Sequence, residues 1–183
     1  MITVNDNFLP RKAFEDLQEY CYTNEFQKIT AGDKEFLVLD TPRSILEFLR
    51  LEGFNLVLTF VRKAHKDFDT NWRIHADNII NGYKTEIASV LYVNNPEGVS
   101  DNGTAFWVHD KHGQQLPKDV SEKEFNRLIT EDANEPTKWR MDSIVGNIPN
   151  RQLTYNSNYF HSKYPNTIEE GERIVLVCFY EKR

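Results

Sequence analysis

Hydrophobic and polar positions alternate along most of this chain with the period of strands, and only a few stretches carry the period of helices. Phe14, Leu17, Tyr20 and Cys21 recur at helical spacing behind Pro10, which suits a first turn, so the pattern predicts an amphipathic helix over residues 11–21. Phe36-Leu37-Val38-Leu39 reads as a short strand, and Thr41-Pro42 as the cap and first residue of a helix over residues 44–52, ended by Gly53. Runs rich in β-branched and aromatic residues follow at 56–62, 87–93, 104–108, 144–146, 151–155 and 173–180. Turn signals separate them at Asn81-Gly82, Asn94-Asn95-Pro96-Glu97-Gly98, Asp101-Asn102-Gly103 and Asn156-Ser157. The last run is apolar on both alternations, as expected of a strand covered on both faces.

Residues 109–142 break this grammar. They are polar and hold one predicted helix over 122–131, where Ser121 and Glu124 form a capping box. A segment of this kind between strands is expected to be a lid or a mobile excursion. The whole pattern predicts one α+β, mainly β domain over residues 1–183: flanking helices in 1–55, a β-sandwich or jelly-roll core in 56–180, and a lid-like helical insertion at 109–142.

Composition sets the outer bounds. With 39% hydrophobic and 27% charged residues in 183, the chain is an ordinary globule able to bury a core without staples. No run approaches the ~20 apolar residues of a membrane span, and Met1-Ile2-Thr3-Val4 does not begin a basic and then apolar leader, so a cytoplasmic protein without a membrane partner is expected. Cys21 and Cys178 alone make neither a disulfide framework nor a thiolate cluster. A net charge of -6 argues against a protein whose affinity depends on phosphate contacts, so no nucleic-acid partner is expected.

Candidate chemistry concentrates in Trp72-Arg73-Ile74-His75-Ala76-Asp77, which puts an imidazole and a carboxylate on the same side of an extended backbone. His161, in Asn158-Tyr159-Phe160-His161-Ser162-Lys163, is the natural second half of a metal site. Two histidines and one carboxylate, with the remaining coordination positions open, suit non-heme Fe(II). Arg173 shares a strand face with Val175, Val177 and Phe179, where burying an unpaired guanidinium is costly. Either it lies at an exposed strand end and pairs with Glu170 or Glu172, or it grips a carboxylate of a bound molecule in bidentate fashion. His65, His109 and His112 read as surface or satisfied half-buried residues, since the spacing of the last two lacks further ligands.

In this order the residues resemble the Fe(II)- and 2-oxoglutarate-dependent oxygenases with a double-stranded β-helix, cupin-like core, and within them the prolyl-hydroxylase-like group. The resemblance runs from about Leu56 to Tyr180. It rests on His75-x-Asp77, Leu91-Tyr92-Val93-Asn94, Gly103-Thr104-Ala105-Phe106-Trp107, Phe160-His161-Ser162 and Arg173. The wording around both histidines is similar to small bacterial and viral oxygenases of unassigned substrate.

The resemblance implies that His75, Asp77 and His161 bind Fe(II), that Arg173 holds the distal carboxylate of 2-oxoglutarate, and that Tyr92 hydrogen-bonds the same carboxylate. Dioxygen is the other co-substrate, and no side chain beyond the metal centre acts as a catalyst. The implied reaction is hydroxylation of an unidentified small-molecule or peptide substrate, a peptidyl or amino-acid side chain among the candidates, coupled to decarboxylation of 2-oxoglutarate to succinate. Trp72, Tyr83 and Trp139 are substrate-side candidates, and the 109–142 insertion and the 78–84 loop are candidates for closure. Two departures stand out: Val175 occupies a place where relatives often carry a serine or threonine that shares the carboxylate, and Asp69 replaces a glycine frequent in prolyl hydroxylases. A nucleic-acid demethylase or base hydroxylase would use the same iron site, and a non-catalytic jelly-roll binding module would need no iron at all.

Overall fold

Two antiparallel sheets share an apolar interior in the computed structural model, which describes residues 1–31, 34–68, 73–80, 82–96, 102–117, 119–165, 167–168 and 170–183. In spatial order the major sheet runs β1 (Ile2–Asn5), β10 (Gln152–Asn156), β7 (Ile87–Tyr92), β12 (Arg173–Lys182), β4 (Phe54–Ala64), β3 (Lys34–Asp40) and β2 (Gln27–Ala31). The minor sheet runs β11 (His161–Tyr164), β8 (Gly103–His109) and β9 (Trp139–Gly146). A small hairpin pairs β5 (Ile79–Ile80) with β6 (Tyr83–Lys84), and Gly82 in its turn has φ +82°, a conformation that favours glycine. The segment around His75 continues the minor sheet beside β11, through His75 N–H to His161 C=O at 3.0 Å and the reciprocal bond at 2.9 Å.

β12 sits at the centre of the major sheet, and its alternation explains its composition. Ile174, Leu176, Cys178 and Tyr180 face a core completed by Leu9, Phe14, Leu17 and Cys21 of the α1 region (α1, Arg11–Thr23). Val175, Val177 and Phe179 face the opposite way, toward Val90, Tyr155 and Phe106 in the space between the sheets. Each such side chain contributes roughly 1.5–3 kcal/mol when fully buried, which favours one register over a slipped one that would turn every residue around. Both cysteines are buried free thiols whose burial pushes Cys178 up to about 11 and Cys21 up to about 12.

Residues 1–55, expected to be flanking helices, hold among their described residues one α-helix, the strands β1, β2 and β3, and the start of β4. The predicted helix over 44–52 is instead a chain of tight turns that starts with a 3-10 helix at Arg43–Ile45. The bonds Ile45 N–H to Pro42 C=O and Phe48 N–H to Ile45 C=O close after three residues, and the Tyr180 hydroxyl takes the Leu49 carbonyl at 2.9 Å. Burial of Ile45 and Leu49 against the sheet thus overrides the helical spacing.

The insertion carries α2 (Glu122–Thr130) and two 3-10 turns. Ser121 Oγ accepts from Glu124 N–H at 3.2 Å, while the Glu124 carboxylate turns to Lys111, His112 and Arg127. The insertion packs Leu116, Leu128 and Trp139 onto Ile74, Ala105, Trp107 and Phe160, the outward-facing residues of the minor sheet. None of its described residues lines the cavity between the sheets, so the part expected as a lid forms a buttress behind the sheet. Among the described residues, no helix is long and apolar enough to cross a membrane.

Candidate metal centre

The antiparallel pairing of β11 with the His75 segment brings together residues 86 positions apart, 75 and 161, and points both imidazoles into the interior. Their ring centroids lie 4.4 Å apart. Asp77, two residues on from His75, returns to the same side: its carboxylate oxygens lie 3.4 Å from His75 Nε2 and 3.1 Å from His161 Nε2. Its backbone is pinned by Asp77 N–H to Ser157 C=O at 2.6 Å and by the Thr85 hydroxyl donating to the Asp77 carbonyl. One ligand atom from each of the three residues lies within 4.8 Å of the others.

The second ring nitrogens decide what this cluster can do. His161 Nδ1 faces the Tyr159 carbonyl at 2.9 Å and His75 Nδ1 faces the Arg73 carbonyl at 3.3 Å. A carbonyl only accepts, so each Nδ1 carries the proton and each Nε2 presents a lone pair. Burial alone would raise the Asp77 pKa, but the positive charge that the two imidazoles carry when protonated outweighs it and holds the carboxyl well below the usual range. Burial, with the neighbouring imidazole of His161, also lowers the pKa of His75 and favours its neutral form. The Tyr155 hydroxyl stands 3.0 Å from His161 Nε2 and can donate to it, and a divalent ion of nitrogen and oxygen preference fits the set of two Nε2 atoms and a carboxylate.

A cavity of about 110 Å³ opens from the two histidines, walled by Val90, Tyr155, Val175 and Val177. Arg173 enters it from β12. It is buried, 7% exposed, and its Nη2 donates to the Gly103 carbonyl at 3.2 Å. Glu172 pairs with Lys63 at 2.9 Å, so that carboxylate is engaged elsewhere. At Gly103 the strands β8 and β9 approach so closely that a Cβ would stand 2.0 Å from the Val145 carbonyl oxygen. Glycine is therefore what lets the carbonyl that anchors Arg173 sit where it does.

The remaining expected site residues fall in different places. Tyr92 is wholly buried, and its hydroxyl donates to Thr104 Oγ1 at 2.8 Å, with Thr104 rather than Tyr92 lining the cavity. Trp139 belongs to the insertion core, 8% exposed, with its ring against His109 and Phe160 and its indole N–H on the Asp132 carbonyl at 2.7 Å. Tyr83 is 49% exposed on the β5–β6 hairpin, outside the cavity lining. Trp72, Asp69, Asn81 and the turn at 97–101 lie outside the described residues.

Sequence reasoning missed Thr104, Tyr155, Arg62, Arg73 and Lys163, all of which line the cavity. The signal was available for two of them: Arg73 and Lys163 each stand two residues from a histidine ligand, hence on its strand face.

The fold matches known structures along the full chain. A prolyl-4-hydroxylase from Pseudomonas putida superposes with a TM-score of 0.56 at 14% identity, covering 100% of this chain and 92% of that one. HygX from Streptomyces hygroscopicus with iron bound gives 0.59 at 13% identity, over 99% and 82%. The viral collagen prolyl hydroxylase of Paramecium bursaria Chlorella virus 1, in complex with 2-oxoglutarate, gives 0.52 at 11% identity, over 100% and 96%. The chain thus has the double-stranded β-helix fold of the 2-oxoglutarate and iron oxygenases, with a His-Asp-His cluster inside it. No protein-family model matches the sequence, and no curated protein matches it.

Proposed function

We propose that this protein is an iron- and 2-oxoglutarate-dependent dioxygenase that hydroxylates an organic substrate, with His75, Asp77 and His161 as metal ligands and Arg173 as the anchor of the distal carboxylate of 2-oxoglutarate. The observation that carries this reading is the cluster of three electron-pair donors beside a cavity that a buried guanidinium enters. Iron(II) held there, with 2-oxoglutarate and dioxygen, would supply the oxidising chemistry that converts 2-oxoglutarate to succinate and carbon dioxide and inserts oxygen into a C–H bond.

The protein's own contribution is orientation and exclusion. Tyr159 and Arg73 fix the histidine tautomers through their carbonyls, so that both Nε2 lone pairs face the metal position. Asp77 stays ionised and supplies the negative charge of the ligand set. Arg173 presents a planar fork suited to a carboxylate. Val175 offers no hydroxyl, and the hydroxyl that takes its place is that of Thr104, which bonds to Tyr92 and lines the cavity. Val90, Val175 and Val177 form the apolar part of the cavity wall.

Succinate formation tests the reading. Protein supplied with Fe(II), 2-oxoglutarate and air is expected to form succinate above the protein-free background, and His161→Ala to form none. Equal succinate from the native protein and His161→Ala would contradict it.

A further inference from the structure

Resting on the oxygenase reading, we propose that Tyr155 is a binding residue for 2-oxoglutarate, its hydroxyl donating a hydrogen bond to the end of the molecule that chelates the metal. Tyr155 lies on β10 between Ile2 of β1 and Ala88 of β7, and it shares the interior face of the major sheet with Val90, Val177 and Phe179. The residue is buried, and the Phe106 ring meets it edge-on with centroids 5.3 Å apart. Packing therefore fixes the phenol oxygen, and only its hydrogen turns.

That oxygen stands at the border of the metal cluster. It lies 3.0 Å from His161 Nε2, the atom that would hold the ion, and its residue lines the same cavity as Arg173. Burial first, and then the charge of Asp77, push the Tyr155 pKa well above its ordinary value, while the charge of Arg173 pulls it down. The hydroxyl thus lies within the field of both residues. A molecule of 2-oxoglutarate held by Arg173 at one carboxylate and by the metal at its other end would span the same interval.

A metal on His161 takes the Nε2 lone pair, and a buried hydroxyl is costly to leave without a partner. The next acceptor is either Asp77 or an oxygen of the co-substrate. Asp77 already turns its oxygens to His75 Nε2 and His161 Nε2, at 3.4 and 3.1 Å, and it is not among the residues that line the cavity. Tyr155 does line it, so its placement favours the co-substrate. The carboxylate at the chelating end is charged, which makes this a charge-assisted hydrogen bond.

The test compares the full-length protein with Tyr155→Phe, which removes only the oxygen, under anaerobic conditions. Electron paramagnetic resonance of free Mn(II) reads metal affinity, calorimetry on the Mn(II)-loaded protein reads 2-oxoglutarate affinity, and the Fe(II) charge-transfer band reads the chelating end directly. Tyr155→Phe should keep Mn(II) affinity within about twofold, lower 2-oxoglutarate affinity about tenfold through the loss of one hydrogen bond to a charged acceptor, and move the band maximum. A merely structural tyrosine would lower the thermal midpoint and leave the band where it was. In the native protein with Zn(II) and tyrosine isotope-labelled at Cζ, one tyrosine NMR signal should respond to the metal and respond again to 2-oxoglutarate.

Unchanged 2-oxoglutarate affinity and an unmoved band in Tyr155→Phe overturn the proposal. A fall in Mn(II) affinity as large as the fall in 2-oxoglutarate affinity overturns it too, by assigning the hydroxyl to Asp77 and the ligand set. So does the lack of any tyrosine signal that responds to both additions. A visible phenolate band on oxidation to Fe(III), lost in Tyr155→Phe, would overturn it by making Tyr155 a metal ligand. Failure of the native protein to bind 2-oxoglutarate at all would remove the oxygenase reading itself, a result distinct from the others.

Discussion

On its inner face the minor sheet presents His161 to Asp77 and His75; on its outer face it meets the insertion, where another buried histidine, His109, meets another carboxylate, Asp132, at 2.9 Å. The two sites have the same residue types, and the second ring nitrogen separates them. His109 Nδ1 accepts from the backbone N–H groups of Lys111 and His112 at 3.2 and 3.3 Å, so its Nε2 carries the proton and donates it to Asp132. Arg127 Nη1 meets the same carboxylate oxygen at 2.6 Å. The outer histidine and carboxylate thus complement one another, whereas the inner histidines and carboxylate turn electron-pair donors toward a point where a cation would fit. A histidine beside a carboxylate is read as structural or as metal-binding by what its other nitrogen touches.

The largest effect expected from this contrast is on iron. His161→Ala should cost more than the roughly 10–100-fold in affinity that losing an outer partner of a ligand costs. His109→Ala should leave iron affinity unchanged and lower stability by roughly 1–3 kcal/mol, the penalty for a buried group left without its partner. Metal analysis after dialysis and urea unfolding read the two outcomes. Similar losses of iron in both variants would abolish the distinction.

Arg173→Gln follows, expected to weaken 2-oxoglutarate binding by about 2–5 kcal/mol, the cost of truncating a buried partner of a charged group, as measured by anaerobic calorimetry. Gly103→Ala, which places a methyl against the Val145 carbonyl, should destabilise the fold by about 1–3 kcal/mol through the forced separation of β8 and β9. Its thermal midpoint should therefore fall, and an unchanged midpoint would show that β9 yields freely at this position.

The role of Thr104 predicts a smaller effect with a particular pattern. Thr104→Val should weaken 2-oxoglutarate by about 0.5–1.5 kcal/mol, and adding Tyr92→Phe should cost little more, because the tyrosine reaches the cavity through the threonine. Additive losses would mean that Tyr92 contacts the ligand itself.

The smallest effect lies in the insertion. Hydrogen bonds from Arg127, Lys111 and His112 lower the Glu124 pKa, so its contribution is present above its ordinary value of 4.5 and is lost as pH falls toward the folded value. Glu124→Gln should speed amide exchange in residues 122–130 at neutral pH while leaving 2-oxoglutarate affinity as it was.

Much of this was legible in the sequence, because strand alternation carries both the core and the site. The central strand β12 was readable from its apolar run, and the His75-x-Asp77 pair from its spacing. The edge strands β1 and β2 were not. Ile2, Val4 and Ile29 remain exposed there, so neither edge shows the contrast of a buried and a solvated face. The insertion was recognised as a break in pattern, yet its side of the sheet depends on contacts such as Ile74 N–H to Ala133 C=O at 3.0 Å, which no local signal encodes. Thr104 escaped notice for a similar reason: its value comes from Tyr92, which pairs with it only after folding.

The cavity is probed most directly by an anaerobic titration of Fe(II) and 2-oxoglutarate into the native protein, His75→Ala and Arg173→Gln, following the weak visible metal-to-ligand charge-transfer band. A band is expected in the native protein, none in His75→Ala, and a band in Arg173→Gln only at far higher 2-oxoglutarate. A native protein that shows no band, or a band that survives His75→Ala unchanged, would contradict the assignment of this cavity as an iron and 2-oxoglutarate site.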